Sequence, residues 1–109
     1  MNKKIDLEPR YFEAVKNILN NRLKNSRIKV YVFGSRVNGK TKAASDIDLA
    51  LDGGVKLDYF KVIAPLKEDF EESNIKYSVD IIDLNTITDS FKKHIVSDLT
   101  ELEYQESAG

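Results

Sequence analysis

The sequence contains no cysteine, no tryptophan and a single histidine among its 109 residues. Without cysteine the chain has no disulfide, no thiolate zinc site and no thiol nucleophile, which fits a reducing compartment. It also lacks an apolar run long enough to span a bilayer, and no apolar segment follows the lysines near its amino terminus, so we expect neither a signal peptide nor a membrane segment. These absences favour a cytoplasmic protein.

The net charge of −1 conceals an uneven distribution of charge along the chain. Residues 1–42 contain 11 Lys or Arg against 3 Asp or Glu, a net of +8, whereas residues 43–109 contain 6 against 15, a net of −9. Either the two segments pair with each other in the fold, or the basic part lies beside bound phosphates while the acidic part supplies metal ligands or a partner surface. So small an overall charge argues against nonspecific binding of nucleic acid.

Three helices are predicted from the spacing of apolar residues. The first spans about 8–25, with Asn25 as its stop, and the second spans about 57–73, where Pro65 should kink or break it. A closing helix with a frayed, polar tail is indicated by the spacing of Ile87, Phe91, Ile95, Leu99 and Leu102. The single histidine, His94, falls on the apolar side of this closing helix and is expected to be packed.

Three strands are predicted between these helices, at 27–33, 46–51 and 77–84. Their apolar residues alternate with polar ones, and turn residues follow the first two. Strands that alternate with helices indicate an α/β fold with a small mixed sheet of three or slightly more strands, flanked by helices. The length favours a single domain over residues 1–109.

The segment YVFGSRVNGKTKAASDIDLAL, residues 31–51, satisfies two different phosphate-site patterns. The first is the P-loop pattern G-x-x-x-x-G-K-T, formed by Gly34, Gly39, Lys40 and Thr41. A P-loop hands its lysine and hydroxyl to a helix of several turns, but only KAAS separates Thr41 from the next strand. We therefore interpret this match as a coincidence, and residues 39–41 as a spacer or, at most, as loop contacts.

The second pattern is Gly34-Ser35, ten residues, and then Asp46-x-Asp48. Because side chains alternate along a strand, both aspartates should point away from the core, with backbones about 6.5–7 Å apart. Two such carboxylates can reach a pair of Mg²⁺ ions held about 3.5–4 Å apart, and Mg²⁺ prefers oxygen ligands. For an isolated D-x-D, a strand with a solvated acidic face is the alternative.

Further acidic residues follow on the third strand. In VDIID, Asp80 points away from the face shared by Val79 and Ile81, so it could complete a site of three carboxylates. Asp83 has the opposite parity and lies at the strand end, where a turn role is the better interpretation, and Asp52 before two glycines is interpreted in the same way.

Gly34 and Ser35 lie where a strand ends and a short turn or helix could begin. Backbone amides there, with the Ser35 hydroxyl, could bind outer phosphates, and Gly34 would let the backbone approach them closely. Arg36 and Lys40 are candidate charge partners of the same phosphates, although a solvated loop cation is an equally good interpretation of each.

Together, GSRVNGKTKAASDIDLAL and VDIID resemble the minimal nucleotidyltransferases, the MNT domains of the DNA polymerase β-like superfamily, over nearly the whole chain. The resemblance implies the polymerase β-like nucleotidyltransferase fold. It implies that Asp46, Asp48 and Asp80 hold two Mg²⁺ ions and are catalytic, while Gly34 and Ser35 hold the β- and γ-phosphates of ATP. The reaction it implies is transfer of a nucleoside monophosphate to an acceptor hydroxyl, without a protein nucleophile.

The resemblance also implies a partner. MNT proteins commonly act with a small helical HEPN protein, an RNase toxin, and neutralise it by transferring AMP from ATP to a toxin tyrosine. A hetero-oligomer with that partner is compatible with the resemblance. Two alternatives stay open, namely an antitoxin that acts by binding alone and nucleotidyl transfer to a small-molecule hydroxyl.

Overall fold

The computed structural model describes residues 4–105, in which helices and strands alternate, and this confirms the predicted α/β class. The elements in chain order are α1 (Pro9–Leu23), β1 (Lys29–Phe33), α2 (Ser35–Asn38), β2 (Ile47–Asp52), a π-helical turn (Tyr59–Ile63), α3 (Ala64–Glu71), β3 (Val79–Asp83), α4 (Asp89–Ile95) and β4 (Thr100–Glu101). No helix within residues 4–105 is long and apolar enough to cross a bilayer.

The four strands form one mixed sheet in the order β3-β2-β1-β4. β1 pairs antiparallel with β2 and β4, whereas β2 and β3 run parallel. Parallel neighbours need a crossover of a dozen or more residues, and the π-helical turn with α3 supplies it. The carboxylate-bearing strands β2 and β3 are therefore direct neighbours.

One face of the sheet carries the main hydrophobic core. Ile47, Leu49 and Leu51 alternate along β2 and are at most 1% exposed, as their parity predicts. Burying side chains of this size stabilises the fold by about 1.5–3 kcal/mol each. The buried residues that α1 and α3 pack into the same core are Val15, Leu19, Leu23, Leu66 and Phe70.

The opposite face of the sheet has a smaller core of Phe33, Ala50, Leu84 and Ile95. Ile95 belongs to α4, so α4 covers the part of this face where β2 and β3 end. The part where β2 and β3 begin carries Asp48 and Asp80 instead.

The first two helices follow their sequence signals. Pro9 occupies the first turn of α1, and Asn25 takes the left-handed conformation just after the helix, with φ of 66°, which confirms it as the stop. Pro65 lies in the first turn of α3, directly after the π-helical turn, so the helical segment changes its hydrogen-bonding pattern at the proline.

The predicted closing helix is too long. α4 ends at Ile95, and Thr100–Glu101 form β4 on β1, with the Leu102 amide donating to the Val30 carbonyl at 2.8 Å. Leu99 and Leu102 continue the helical spacing in the sequence because apolar residues are also needed where this strand packs. Such a short apolar run fits either a helix or a strand.

Two smaller expectations about this segment are also wrong. His94 is exposed and not packed, because α4 has only two turns and buries Ile95 instead. The tail does not fray at Tyr104, which is 5% exposed and donates its hydroxyl to the Ile28 carbonyl at 2.6 Å. Residues 106–109 of the predicted tail lie outside the described residues.

Candidate active site

Asp48 and Asp80 lie side by side on the open part of the second sheet face. They are paired in the parallel register of β2 and β3, and adjacent strands are about 4.8 Å apart. Asp46 lies just before β2, two residues from Asp48, and is exposed, as is Asp80. The fold therefore brings together the three carboxylates predicted from the sequence.

Asp48 is half-buried, and its pKa is raised to about 6. Burial is the largest cause, and the negative charges of Asp80 and then Asp46 add to it. No basic side chain of residues 4–105 contributes to the shift. Three mutually repelling carboxylates without a cation fit a hard divalent metal such as Mg²⁺, which binds oxygen and neutralises their charge.

The three carboxylates do not form a ready-made metal cage. Within residues 4–105, no group of three His, Asp or Glu side chains converges tightly enough to chelate an ion. Asp46 and Asp80 are exposed, so metal binding would have to draw these side chains toward Asp48. The donor chemistry fits Mg²⁺, and the convergence would come with the ion and its nucleotide.

We expect Asp48→Asn to raise stability at neutral pH. In metal-free buffer, the folded Asp48 binds its proton up to about pH 6, whereas an unfolded aspartate loses it near pH 4. Wild-type stability therefore falls as pH rises from about 4 to about 6, and the variant escapes this loss. After allowance for solvent screening, we expect a gain of about 1 kcal/mol at pH 7.5, measured by urea unfolding with EDTA.

Asp52→Asn is the matched control for this prediction. A hydrogen bond from the Gly54 amide, then one from the Asn85 side chain, lower the pKa of Asp52, so its ionised form favours the fold. This variant should show no gain at pH 7.5. A stability of Asp48→Asn at or below that of wild type at pH 7.5 would contradict the assigned charge repulsion.

The turn after β1 brings the backbone against Asp48. Gly34 has φ of 79° and ψ of −151°, a conformation that is nearly confined to glycine. A Cβ atom at Gly34 would lie 2.5 Å from the Asp48 Oδ2 atom. Glycine is therefore required here both for the backbone conformation and for the close approach of the carboxylate.

The short helix α2 begins directly after this turn, as predicted. The amides of Ser35 and Arg36 at its start form no hydrogen bond with another residue in 4–105, so they are available to a ligand. The Thr41 hydroxyl donates to the Ser35 carbonyl at 2.7 Å. Thr41 therefore closes the loop that follows α2, and residues 40–46 form no helix, which confirms that the P-loop match is a coincidence.

Arg36 lies inside the fold, 3% exposed. Its two terminal nitrogens donate to the Asp6 carbonyl at 3.1 Å and the Ser45 carbonyl at 2.7 Å, and the guanidinium lies 4.0 Å from the centre of the Tyr77 ring. Its Nε atom is buried and has no partner within residues 4–105. In this conformation Arg36 holds the residue that precedes Asp46, so we assign it a positioning role, and direct phosphate contact stays a prediction.

We expect Arg36→Ala to destabilise the fold by about 2–4 kcal/mol, because it leaves the carbonyls of Asp6 and Ser45 without these donors and removes a stacked side chain. The measurement is the free energy of unfolding in urea. If stability is unchanged while ATP affinity falls, Arg36 is a phosphate ligand and not a positioning residue.

The remaining polar residues singled out in the sequence have the following surroundings. Lys40 is exposed, and its amide donates to the Asn38 side chain, so its contact with a phosphate stays a prediction. Asp52 accepts from the Gly54 amide, and the buried Asp83 accepts from the amides of Leu57 and Asn85. These are turn and loop-anchoring roles, as their positions at strand ends suggest.

Sequence reasoning missed the residues that support the site from a distance. Tyr77 stacks on Arg36 and donates its hydroxyl to both Glu8 carboxylate oxygens, at 2.9 and 2.8 Å. Glu8 and Tyr77 are 69 residues apart, and neither stands in a motif. The sole available signal was the position of Tyr77 at the start of the predicted acidic strand, which by itself indicates no contact.

This combination of a glycine turn, adjacent carboxylates on parallel strands and a small α/β sheet is that of a nucleotidyltransferase. The chain matches the family described as "Polymerase beta, Nucleotidyltransferase" over residues 13–106, and it belongs to this family. It is also 37% identical over 91 residues to the "Probable protein adenylyltransferase MntA" of Haemophilus influenzae, covering 84% of this chain and 77% of that protein. The protein is therefore a nucleotidyltransferase with an MNT-type domain, as its motifs imply.

Proposed function

We propose that this nucleotidyltransferase transfers AMP from ATP, with Mg²⁺, to a tyrosine hydroxyl of a partner protein, a HEPN RNase toxin that it thereby neutralises. The observation that carries the proposal is the pairing of Asp48 with Asp80 beside Gly34, which sets a carboxylate pair against a phosphate-binding turn. The protein acceptor is supported by the name of the relative from Haemophilus influenzae, a protein adenylyltransferase. The HEPN identity rests on the family resemblance alone.

On the donor side, the turn and the carboxylates would bind different parts of the triphosphate. The amides of Ser35 and Arg36, with the Ser35 hydroxyl, would donate hydrogen bonds to the outer phosphate oxygens. Asp46, Asp48 and Asp80 would hold Mg²⁺, which when bound neutralises phosphate charge and orients the triphosphate. Without a cation the carboxylates repel one another. Binding of Mg²⁺ together with the nucleotide would relieve this repulsion.

On the acceptor side, the reaction needs an oxygen nucleophile and a proton acceptor. The tyrosine oxygen attacks the α-phosphorus in line, a new O–P bond forms, and the bond to the bridging oxygen breaks. Pyrophosphate leaves with that electron pair, and the hydroxyl proton passes to a carboxylate. Asp80, at the exposed side of the pair, is the residue we assign to this role. Positioning and charge neutralisation supply most of the acceleration.

The proposal is tested by incubating the protein with Mg²⁺, ATP labelled at the α-phosphate, and a candidate helical HEPN-family protein from the same genome. We expect label on one tyrosine of that protein, an added mass of one AMP by mass spectrometry, and loss of its RNase activity. Parallel reactions with GTP, CTP and UTP measure nucleotide preference. If ATP binds and no protein or small-molecule hydroxyl is labelled, the proposal is wrong.

A further inference from the structure

The β3 strand forms one edge of the sheet and leaves a row of backbone groups unpaired. The Ile47 amide donates to the Ser78 carbonyl, and the Leu84 amide donates to the Leu51 carbonyl. In a parallel strand, the backbone groups of alternate residues bond to the same neighbouring strand. The backbone amides and carbonyls of Asp80 and the other even-numbered residues of β3 therefore point toward β2. Val79 and Ile81 therefore direct their amides and carbonyls outward, where no residue of the described chain accepts or donates to them.

Two clefts run along this edge and meet at Lys67, and we call them together the β3-edge groove. The first, about 480 Å³, is lined by Phe70, Ile75, Tyr77, Val79 and Asp80 together with Lys67. The second, about 530 Å³, is lined by Leu57, Tyr59, Ile63, Ile81 and Ile82 together with Lys67. Strand residues of both parities line the groove, so it lies against the backbone edge of β3 and not against one face.

The charge of the β3-edge groove is complementary to an acidic segment. Lys56 lines one end, Lys76 the other end and Lys67 the middle, and none of them forms an ion pair with a residue between 4 and 105. Lys67 and Lys76 instead lie over the rings of Tyr59 and Tyr77. The acidic residues that also line the groove, besides Asp80 of the site, are Glu71 and Asp83.

The carboxylate of Asp83 is already bonded to the amides of Leu57 and Asn85, so it offers little repulsion to a ligand. β3 also lacks two of the features that commonly block an edge. It contains no proline and no bulge, because its register with β2 is continuous from Val79 to Asp83. The edge is therefore regular, unpaired within residues 4–105 and flanked by lysines.

We propose that an extended segment of the acceptor protein, acidic beside its target hydroxyl, binds in the β3-edge groove as an added strand of the sheet. This inference rests on the proposed function and names how that site would recognise its substrate. Main-chain hydrogen bonds to Val79 and Ile81 supply sequence-independent affinity, and side chains in the groove supply specificity.

The pairing geometry of a sheet sets which way each residue of the added strand would point. A strand added beside β3 lies about 4.8 Å from it, and its residue next to Asp80 points to the same face as Asp80 and Asp48. A tyrosine at this position directs its hydroxyl toward the carboxylates. We call this guest residue position 0.

The flanking guest residues alternate in their surroundings. Positions −1 and +1 point to the opposite face, toward Lys67 and the apolar wall of Ile63 and Phe70. Positions −2 and +2 share the face of Asp80, where an acidic residue would be repelled. The segment is therefore expected to carry glutamate at −1 or +1 and to avoid acidic residues at −2 and +2.

A peptide library with a central tyrosine and three randomised residues on each side tests this recognition. Each peptide is incubated with the full-length protein, Mg²⁺ and α-labelled ATP, and labelled peptides are sequenced. We expect glutamate to be enriched about fivefold over lysine at −1 or +1, and depleted at −2 and +2. The Lys67→Glu variant should reverse the preference at −1 and +1, whereas Lys24→Glu, at an exposed residue after α1, should keep it.

The outcomes separate the two proposals. Labelled peptides without alternation, or a preference that Lys67→Glu leaves unchanged, would overturn the strand-addition inference alone. Labelling of a folded protein acceptor together with failure of every peptide would also overturn it, because an extended segment would then not suffice. Absence of label on every kind of acceptor, with ATP bound, would overturn the proposed function itself.

A scan of backbone N-methylation on the best peptide tests the hydrogen bonds directly. Methylation should lower labelling roughly three- to tenfold at alternate positions, whose amides face β3, and should have little effect at the positions between them. Which set is sensitive reports whether the segment runs parallel or antiparallel to β3. A uniform response, or a concentration-dependent dimer that already protects the Val79 and Ile81 amides from hydrogen exchange, would overturn the inference.

Discussion

A chain in which Asp46 and Asp48 are both replaced by asparagine is expected to lose nucleotidyl transfer by about three powers of ten or more. Asparagine keeps the size of each side chain and removes two of the three negative charges that would hold Mg²⁺. The pKa of Asp48 is raised to about 6 by burial and by its two acidic neighbours, so charge is concentrated here without a protein cation. The measurement is the initial rate of transfer from α-labelled ATP.

The fold of this double variant should survive, because relief of charge repulsion stabilises it in the absence of metal. Asp52→Asn is the control for activity, since Asp52 lies at the far end of the same strand, where it accepts hydrogen bonds from the Gly54 amide and the Asn85 side chain. It should retain transfer within about threefold. A double variant that is folded and still transfers AMP at the wild-type rate would show that the metal site lies elsewhere.

The same variant separates catalysis from binding as the means of neutralising a toxin partner. If transfer is the mechanism, the folded double variant should fail to protect cells that express the toxin. Full protection by a variant that transfers no AMP would instead favour an antitoxin that acts by masking its partner.

The alternating strands were predictable because a strand has a period of two. In β2, the apolar residues Ile47 and Leu49 alternate with the acidic ones, and one buried face is enough to determine which way Asp48 points. The same argument places Asp80. The parallel pairing that sets Asp48 opposite Asp80 could not be derived in this way, since it depends on the path of the crossover helix.

The supporting contacts were not predictable, because they join residues far apart in sequence. Arg36 lies in the short helix α2, and the sequence predicts it as a candidate phosphate contact, yet its guanidinium bonds to the carbonyl of Asp6, 30 residues away. The predicted end of α4 was wrong for another reason. Leu99 and Leu102 continue a helical spacing, but the free edge of β1 pairs with the residues between them, so tertiary pairing overrides the local pattern.

Gly34→Ala is expected to lower transfer by about a hundredfold or more and to destabilise the fold by about 1–3 kcal/mol. The loss of stability comes from a backbone conformation that other residues rarely adopt. The loss of activity has a separate cause, since the new Cβ atom would lie 2.5 Å from Asp48 Oδ2. That oxygen ends a short side chain that can rotate, so the carboxylate should leave its position while the fold persists.

Comparison with Gly39→Ala separates the loss of activity from the loss of stability. Gly39 also has a positive φ, 81°, but its ψ is 7° and a Cβ atom there would meet nothing within 4 Å. We expect a cost of about 1–2 kcal/mol in stability and nearly full transfer activity. Both glycines flank the same short helix. A general loss of order in this segment would therefore reduce activity in both variants alike. Selective loss in Gly34→Ala, measured at a temperature where both variants are folded, would tie activity to the position of the Asp48 carboxylate.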